Sequence, residues 1–183
     1  MSIIKFLIPV LIFFIFDSCR NSEDSPNQNF DLLSIYVSRD TTFDKGQTFS
    51  SIKVVDKKLL VPAEISLQNK IKILLDSMSS FYFHGLSIEI ISIDSSINNQ
   101  KILIINLKEK PNFRIPESLG SYQTWYDYFQ GSTGGMNTET ILKESILQRE
   151  YNREWIDGLR ILYQGDSIGV WDHINLDGLL LRN

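Results

Sequence analysis

Leu67, Ile71, Leu74, Leu75 and Met78 recur at i, i+4, i+7, i+8 and i+11, and on either side of them the apolar residues alternate at period two. A chain whose period changes from two to 3.6 and back has to bury a helical stripe against strands. Phe30 to Ser38 (FDLLSIYVS) carries Leu33, Ile35 and Val37 in alternation and predicts a first strand. Ile52 to Val61 (IKVVDKKLLV) predicts an extended pair around a polar turn at Asp56, Lys57 and Lys58. After Pro62 the stripe predicts a helix over roughly residues 64 to 80, with Gln68, Lys70, Lys72 and Asp76 off the apolar face.

Leu86, Ile88, Ile90 and Ile93, the polar stretch Asp94 to Asn99, and Lys101 to Leu107 (KILIINL) together predict a hairpin. Glu89 and Asn106 stand among apolar neighbours in it and are expected to point to solvent. A second helix is expected to start at Asn137 or Thr138 and to run through Ile141, Leu142, Ile146, Leu147, Tyr151 and Trp155 to a stop at Gly158. Its apolar positions cover a wide arc, which allows burial on two sides. Leu159 to Tyr163 predicts a last strand, Gly165 and Asp166 a turn, and Leu179 to Leu181 a short apolar run. Strand, strands, helix, hairpin, helix and strand in that order predict an α/β (α+β) fold. The expected form is a two-layer sandwich, a mixed or antiparallel sheet with two helices packed on one face.

The single cysteine, Cys19, follows Lys5, an apolar run of 11 residues from Phe6 to Phe16, and Asp17-Ser18. A basic start, a run too short for the roughly 20 residues that span a bilayer, and a small residue before the cut are the parts of an export signal. The segment resembles a bacterial lipoprotein signal, although Phe16 and Asp17 stand where that pattern has Leu and a small residue. The resemblance implies a signal peptide at 1–18 and acylation of Cys19, by diacylglycerol on the thiol and a further fatty acid such as palmitate on the amine; the alternative is an uncleaved N-terminal signal anchor or a free thiol in a soluble protein. Arg20 to Asn29 (RNSEDSPNQN) is polar throughout and predicts a tether at 19–29. The partner implied is a membrane, reached through the N-terminal lipid.

Removing residues 1–18 takes one lysine and one aspartate and leaves the net charge at −4. That balance gives no basic face for nucleic acid or for an anionic bilayer, since both need clustered Lys and Arg. Without a second cysteine the exported part has no internal disulfide, so about 150 residues must form one domain, 30–183, on core burial alone.

Several segments together resemble the GerMN domain, the sporulation and germination type domain of exported bacterial lipoproteins. They are the opening strand with Tyr36 (IYVS), the Val61-Pro62 step before the helix with Leu74-Leu75, and the hairpin LSIEIISIDSSINNQKILIINL. GSTGG at 131 to 135 before a helix, GLRILYQGDSI at 158 to 168, and HINLDGLLLR at 173 to 182 continue the match. The resemblance covers roughly residues 30 to 182. It implies a scaffolding or interaction domain of the cell envelope.

One stretch departs from that pattern. Pro111 to Gln130 is a long connection holding Phe113, Tyr122, Trp125, Tyr126, Tyr128 and Phe129, six aromatics in 20 residues. Aromatics in such a segment either fold back over the sheet or anchor a protein partner, and Trp125, Tyr126, Tyr128 and Phe129 are the candidate anchors. Gly131, Ser132, Thr133, Gly134 and Gly135 offer backbone N–H groups to an anion at the helix start but lack the lysine of a phosphate loop; a glycine turn that only admits the helix is the alternative. His84 and His173 have no companions at metal spacing, so neither a metal nor a cofactor is expected. Asp172-His173 are neighbours on an extended segment and face opposite ways, and no Ser stands in a nucleophile elbow. The sequence therefore predicts a non-enzymatic binding or scaffolding module with a protein partner. The alternative is an envelope enzyme or a small-ligand (glycan or peptide) binding protein.

Overall fold

The computed structural model describes residues 29–42, 49–95, 99–116 and 119–183. Cys19, the signal peptide at 1–18 and the tether up to residue 28 lie outside them. Strand β1 (Phe30–Thr42) pairs antiparallel with β2 (Phe49–Pro62), and the two form a sheet of their own. Helix α1 (Leu67–Tyr82) follows, then the hairpin β3 (Ser87–Ser95) and β4 (Lys101–Lys108). The single turn α2 (Trp125–Tyr128) and helix α3 (Ser132–Leu147) lead to β5 (Gly158–Tyr163), β6 (Asp166–Ser167) and β7 (Leu179–Leu181). β3, β4, β5 and β6 form the second sheet in that order, with β7 on β5. The β4–β5 pair is parallel and the others are antiparallel, so this sheet is mixed.

The result is an α+β sandwich, with one core that takes side chains from every layer. Leu33, Ile35, Val37 and Val61 come from the ribbon and Ile71, Leu74, Leu75 and Met78 from α1. Leu103, Ile105, Leu107, Leu159 and Ile161 come from the second sheet, and Ile141, Leu142, Ile146 and Leu147 from α3. The stripe of α1 is buried as its spacing predicts, and Ser66 caps the helix by accepting from Asn69 N–H at 3.3 Å. The hairpin and the last strand also lie where their periodicity puts them.

Four expectations are corrected. Asp56, Lys57 and Lys58 are not a turn. β2 is one continuous strand, and Asp56 is the extra residue of a β-bulge, because Ile35 pairs with Lys57 and Tyr36 with Val55. The bulge is held from two sides, by Tyr82 donating to Asp56 Oδ2 at 2.6 Å and Arg39 to Oδ1 at 3.2 Å. Asn106 does not face solvent: it is buried, and its Oδ1 accepts from Gly165 N–H at 2.8 Å, which fixes the β5–β6 turn.

The second helix starts five residues earlier than Asn137 and ends at Leu147, with Gln148 in the left-handed region closing it. Gly158 is no helix stop. It opens β5, where an added Cβ would lie 2.9 Å from Ile102 Cδ1 and 3.3 Å from the Leu180 carbonyl oxygen, so a larger residue would have to push the Ile102 side chain and strand β7 aside. Finally, β1 does not join the main sheet. Its free edge is taken by α3: Asn137 Oδ1, Ser145 Oγ and Gln148 Oε1 accept from the backbone N–H of Ser38, Tyr36 and Ser34 at 2.9, 2.9 and 3.0 Å. Alternate residues of one strand edge thus meet polar side chains along one face of the helix and at its C-terminal end, which take the place of a neighbouring strand.

Candidate functional site

The insertion folds inward. Trp125 is fully buried, its ring centroid 4.7 Å from Phe83, and its Nε1 donates to the Ser87 carbonyl at 3.2 Å. Phe129, also buried, lies 4.9 Å from Trp171 and 5.4 Å from Tyr163. Tyr128 packs edge-on against Phe83, and its hydroxyl sits 2.7 Å from His84 Nδ1. Burial, with the Tyr122 phenol and the Asp127 carboxylate adding to it, pushes the Tyr128 phenol up to about 12. Tyr126 is half-buried against Trp171. Trp125, Tyr128 and Phe129, expected to anchor a partner, therefore belong to the core, and burial of their large area holds the insertion down, while Tyr126 stays half-buried at its edge.

Gly131 to Gly135 form the start of α3. Gly131, at φ +74°, is its N-cap and supplies no capping side chain. Gly135 is buried under the C-terminal segment, where an added Cβ would come within 3.2 Å of His173 Cβ and 3.3 Å of Ile174 Cγ1. That close approach accounts for glycine there through packing. Asp172 and His173 are exposed at the tip of a reversal between the bridged residues Trp171 and Ile174. Among the described residues no group of three metal-ligating side chains converges, and no helix is long and apolar enough to cross a membrane.

Three features remain that periodicity could not reveal. The first is an ionic cluster under the ribbon. Asp31 points inward with its side chain fully buried, and it accepts from Lys70 Nζ at 2.6 Å, Arg153 Nη1 at 2.5 Å and Tyr151 Oη at 2.6 Å. Burial alone would raise its carboxyl. The hydrogen bonds from Lys70 and Tyr151 and the charges of Lys70 and Arg153 outweigh burial and hold it below the ordinary value. Tyr151 is pushed up, by burial and then by the Asp31 bond. Every group in this cluster is matched, which describes a structural clasp between β1, α1 and the segment after α3.

The second is Glu109, just past the end of β4. Its Oε1 accepts from Tyr126 N–H and Tyr163 Oη, each at 3.0 Å, and its Oε2 is buried with no hydrogen-bond partner among the described residues. It lines an open groove of about 740 Å³ with Ser87, Lys108, Lys110, Phe113 and Gln164. A buried carboxylate oxygen is an acceptor whose unmet hydrogen bond costs free energy until a donor reaches it.

The third is the outer face of the ribbon. The register puts Phe30, Leu32, Ser34 and Tyr36 of β1 opposite Pro62, Leu60, Lys58 and Val55 of β2, on the side away from Leu33 and Ile35. Tyr36 is covered by Lys53, which lies 4.8 Å above its ring. Phe30 and Leu32 are 43% and 45% exposed, Val55 41%, and Leu60 70%. Four apolar side chains on one sheet face thus stand in solvent, beside the exposed Lys58.

Comparison with protein-family models, with curated proteins and with solved structures finds no match to this chain.

Proposed function

We propose that this chain is a lipid-anchored extracytoplasmic module of the bacterial cell envelope that binds or scaffolds another envelope protein and carries out no catalysis itself. The observation that carries the reading is the N-terminal pattern, with Lys5, the apolar run Phe6 to Phe16, Ser18, and then Cys19 followed by ten polar residues up to β1. The element order supports a place among GerMN-like envelope domains: paired strands, helix, hairpin, a Gly-Ser step, helix and strand follow one another as the segments of that resemblance do. Acyl chains contribute about 0.8 kcal/mol per buried CH₂, so two or three of them hold a protein on a bilayer. The test is Cys19→Ala. It should abolish incorporation of labelled fatty acid and release the protein from the membrane fraction; equal labelling and fractionation of wild type and variant reject the reading.

Glu109 favours a second reading, a small-ligand binding protein of the envelope. Its unpartnered Oε2 suits a ligand that donates N–H or O–H, as an amino sugar or a short peptide does. Under that reading Glu109→Gln weakens retention of such probes in equilibrium dialysis at least about tenfold, the loss expected when a charged hydrogen bond is removed. Unchanged retention, or none in the wild type, rejects it.

A further inference from the structure

We infer that the outer face of the β1–β2 ribbon, built from Phe30, Leu32, Val55 and Leu60 with Lys58 beside them, rests on the lipid surface to which Cys19 is attached. This inference depends on the lipid anchor proposed above and adds to it an orientation and a second membrane contact.

Connectivity selects the occupant. Phe30 opens β1, and only ten residues of chain separate it from Cys19, a reach of at most about 40 Å even when fully extended. Acyl chains at Cys19 would therefore keep this end of the ribbon close to the headgroups, and the apolar face begins at the very residue where the covalent connection enters the domain. The opposite face of the same ribbon is already buried, through Leu33, Ile35, Val37 and Val61. Only the outer face is free to meet a surface.

Its chemistry fits an interface. Apolar side chains at the boundary of headgroup and acyl chain bury to a depth of about 5 to 10 Å, and lysines next to them meet the phosphates. Lys58 sits in the same row as Ser34, one cross-strand pair from Leu32 and Leu60. Asp31, the carboxylate in the middle of this segment, is turned inward and matched by Lys70, Arg153 and Tyr151, so it does not oppose the contact. Glu144 is paired with Lys53 and Arg149. Glu150, 3.7 Å from Lys53, lines the hollow that Phe30, Leu32 and Tyr36 share, and Asp40 stands on this face at its far end, opposite Ser51 and four residues beyond Tyr36.

The experiment uses the full chain, acylated and reconstituted in phosphatidylethanolamine–phosphatidylglycerol vesicles. Acylation occupies the Cys19 thiol, so Leu60→Cys or Ser167→Cys introduces one free thiol for an environment-sensitive dye; Ser167 is exposed on β6 of the other sheet. Intact mass first reports whether Cys19 carries acyl chains. In the acylated protein, nitroxide-bearing lipids should quench the dye at position 60 several-fold more than at position 167, and Leu32→Asp should remove the difference while secondary structure stays intact. Acylated protein with equal quenching at both sites overturns this inference alone. Quenching at 60 only by a nitroxide-labelled second copy of the chain also overturns it, in favour of self-association. A mass without acyl chains overturns the anchor, and this inference with it.

Discussion

The side-chain amide of Gln148 pairs with the backbone of Ser34 as a neighbouring strand would: Oε1 accepts from Ser34 N–H at 3.0 Å, and Nε2 donates to the Ser34 carbonyl at 2.5 Å. Gln148 can do this because it closes α3 in the left-handed conformation, which turns its side chain out of the helix and onto β1. Ser145 and Asn137 continue the arrangement along the strand. An edge strand left open is a template for another chain. Here the helix closes it.

Gln148→Ala should therefore leave the half-buried N–H and C=O of Ser34 without their side-chain partners and cost about 1 kcal/mol. It should also raise the tendency to self-associate, because the exposed edge accepts a strand. Denaturant midpoints and size-exclusion profiles of wild type and variant measure the two effects. A variant with an unchanged midpoint would mean that the edge is held by packing rather than by these bonds.

Asp31 is a buried carboxylate with three donors, and breaking a buried pair by removing one partner costs about 3 to 5 kcal/mol. Asp31→Asn should show a loss of that order at neutral pH. The sign of the pH dependence follows from the lowered carboxyl. A group held below its unfolded-state value, about 3.9, contributes stability above that pH and loses it as the pH falls through the folded value. Wild type should thus destabilise below about pH 4 more steeply than Asp31→Asn. Urea melts across pH 2.5 to 7 read both; parallel curves would remove the clasp from the account.

Trp125→Ala should cost about 3 to 5 kcal/mol, because a fully buried indole leaves a cavity between Phe83 and Phe129 and an unmatched Ser87 carbonyl. Tyr126→Ala, at a half-buried ring, should cost clearly less. Thermal melts of the two variants decide. A Trp125→Ala protein with wild-type melting temperature would return this ring to the surface and reopen the insertion as a partner site.

Local periodicity determined much of this fold. The stripe Leu67 to Met78, the alternation in Phe30 to Ser38, and the β-branched runs on either side of Asp94 to Asn99 each specify their element, because burial of one face is a property of spacing alone. Tertiary contact decided the rest. Asp56-Lys57-Lys58 is polar enough for a turn, and it continues a strand because Tyr82 and Arg39 hold a bulge there. Thr138, Ser145 and Gln148 blunt the apolar face of α3 although they are buried, since their partners lie in Tyr128 and in a strand about a hundred residues earlier. Trp125 and Phe129 sit in a segment with no period, so nothing local tells an inward ring from an outward one. The ionic clasp at Asp31 and the unpartnered oxygen of Glu109 arise from residues brought together by the fold, and the exposed row exists because strand pairing sets Leu32 opposite Leu60 beside Phe30, with the bulge bringing Val55 onto the same face. Sequence spacing records which face of an element is apolar; what that face meets is decided by the rest of the chain.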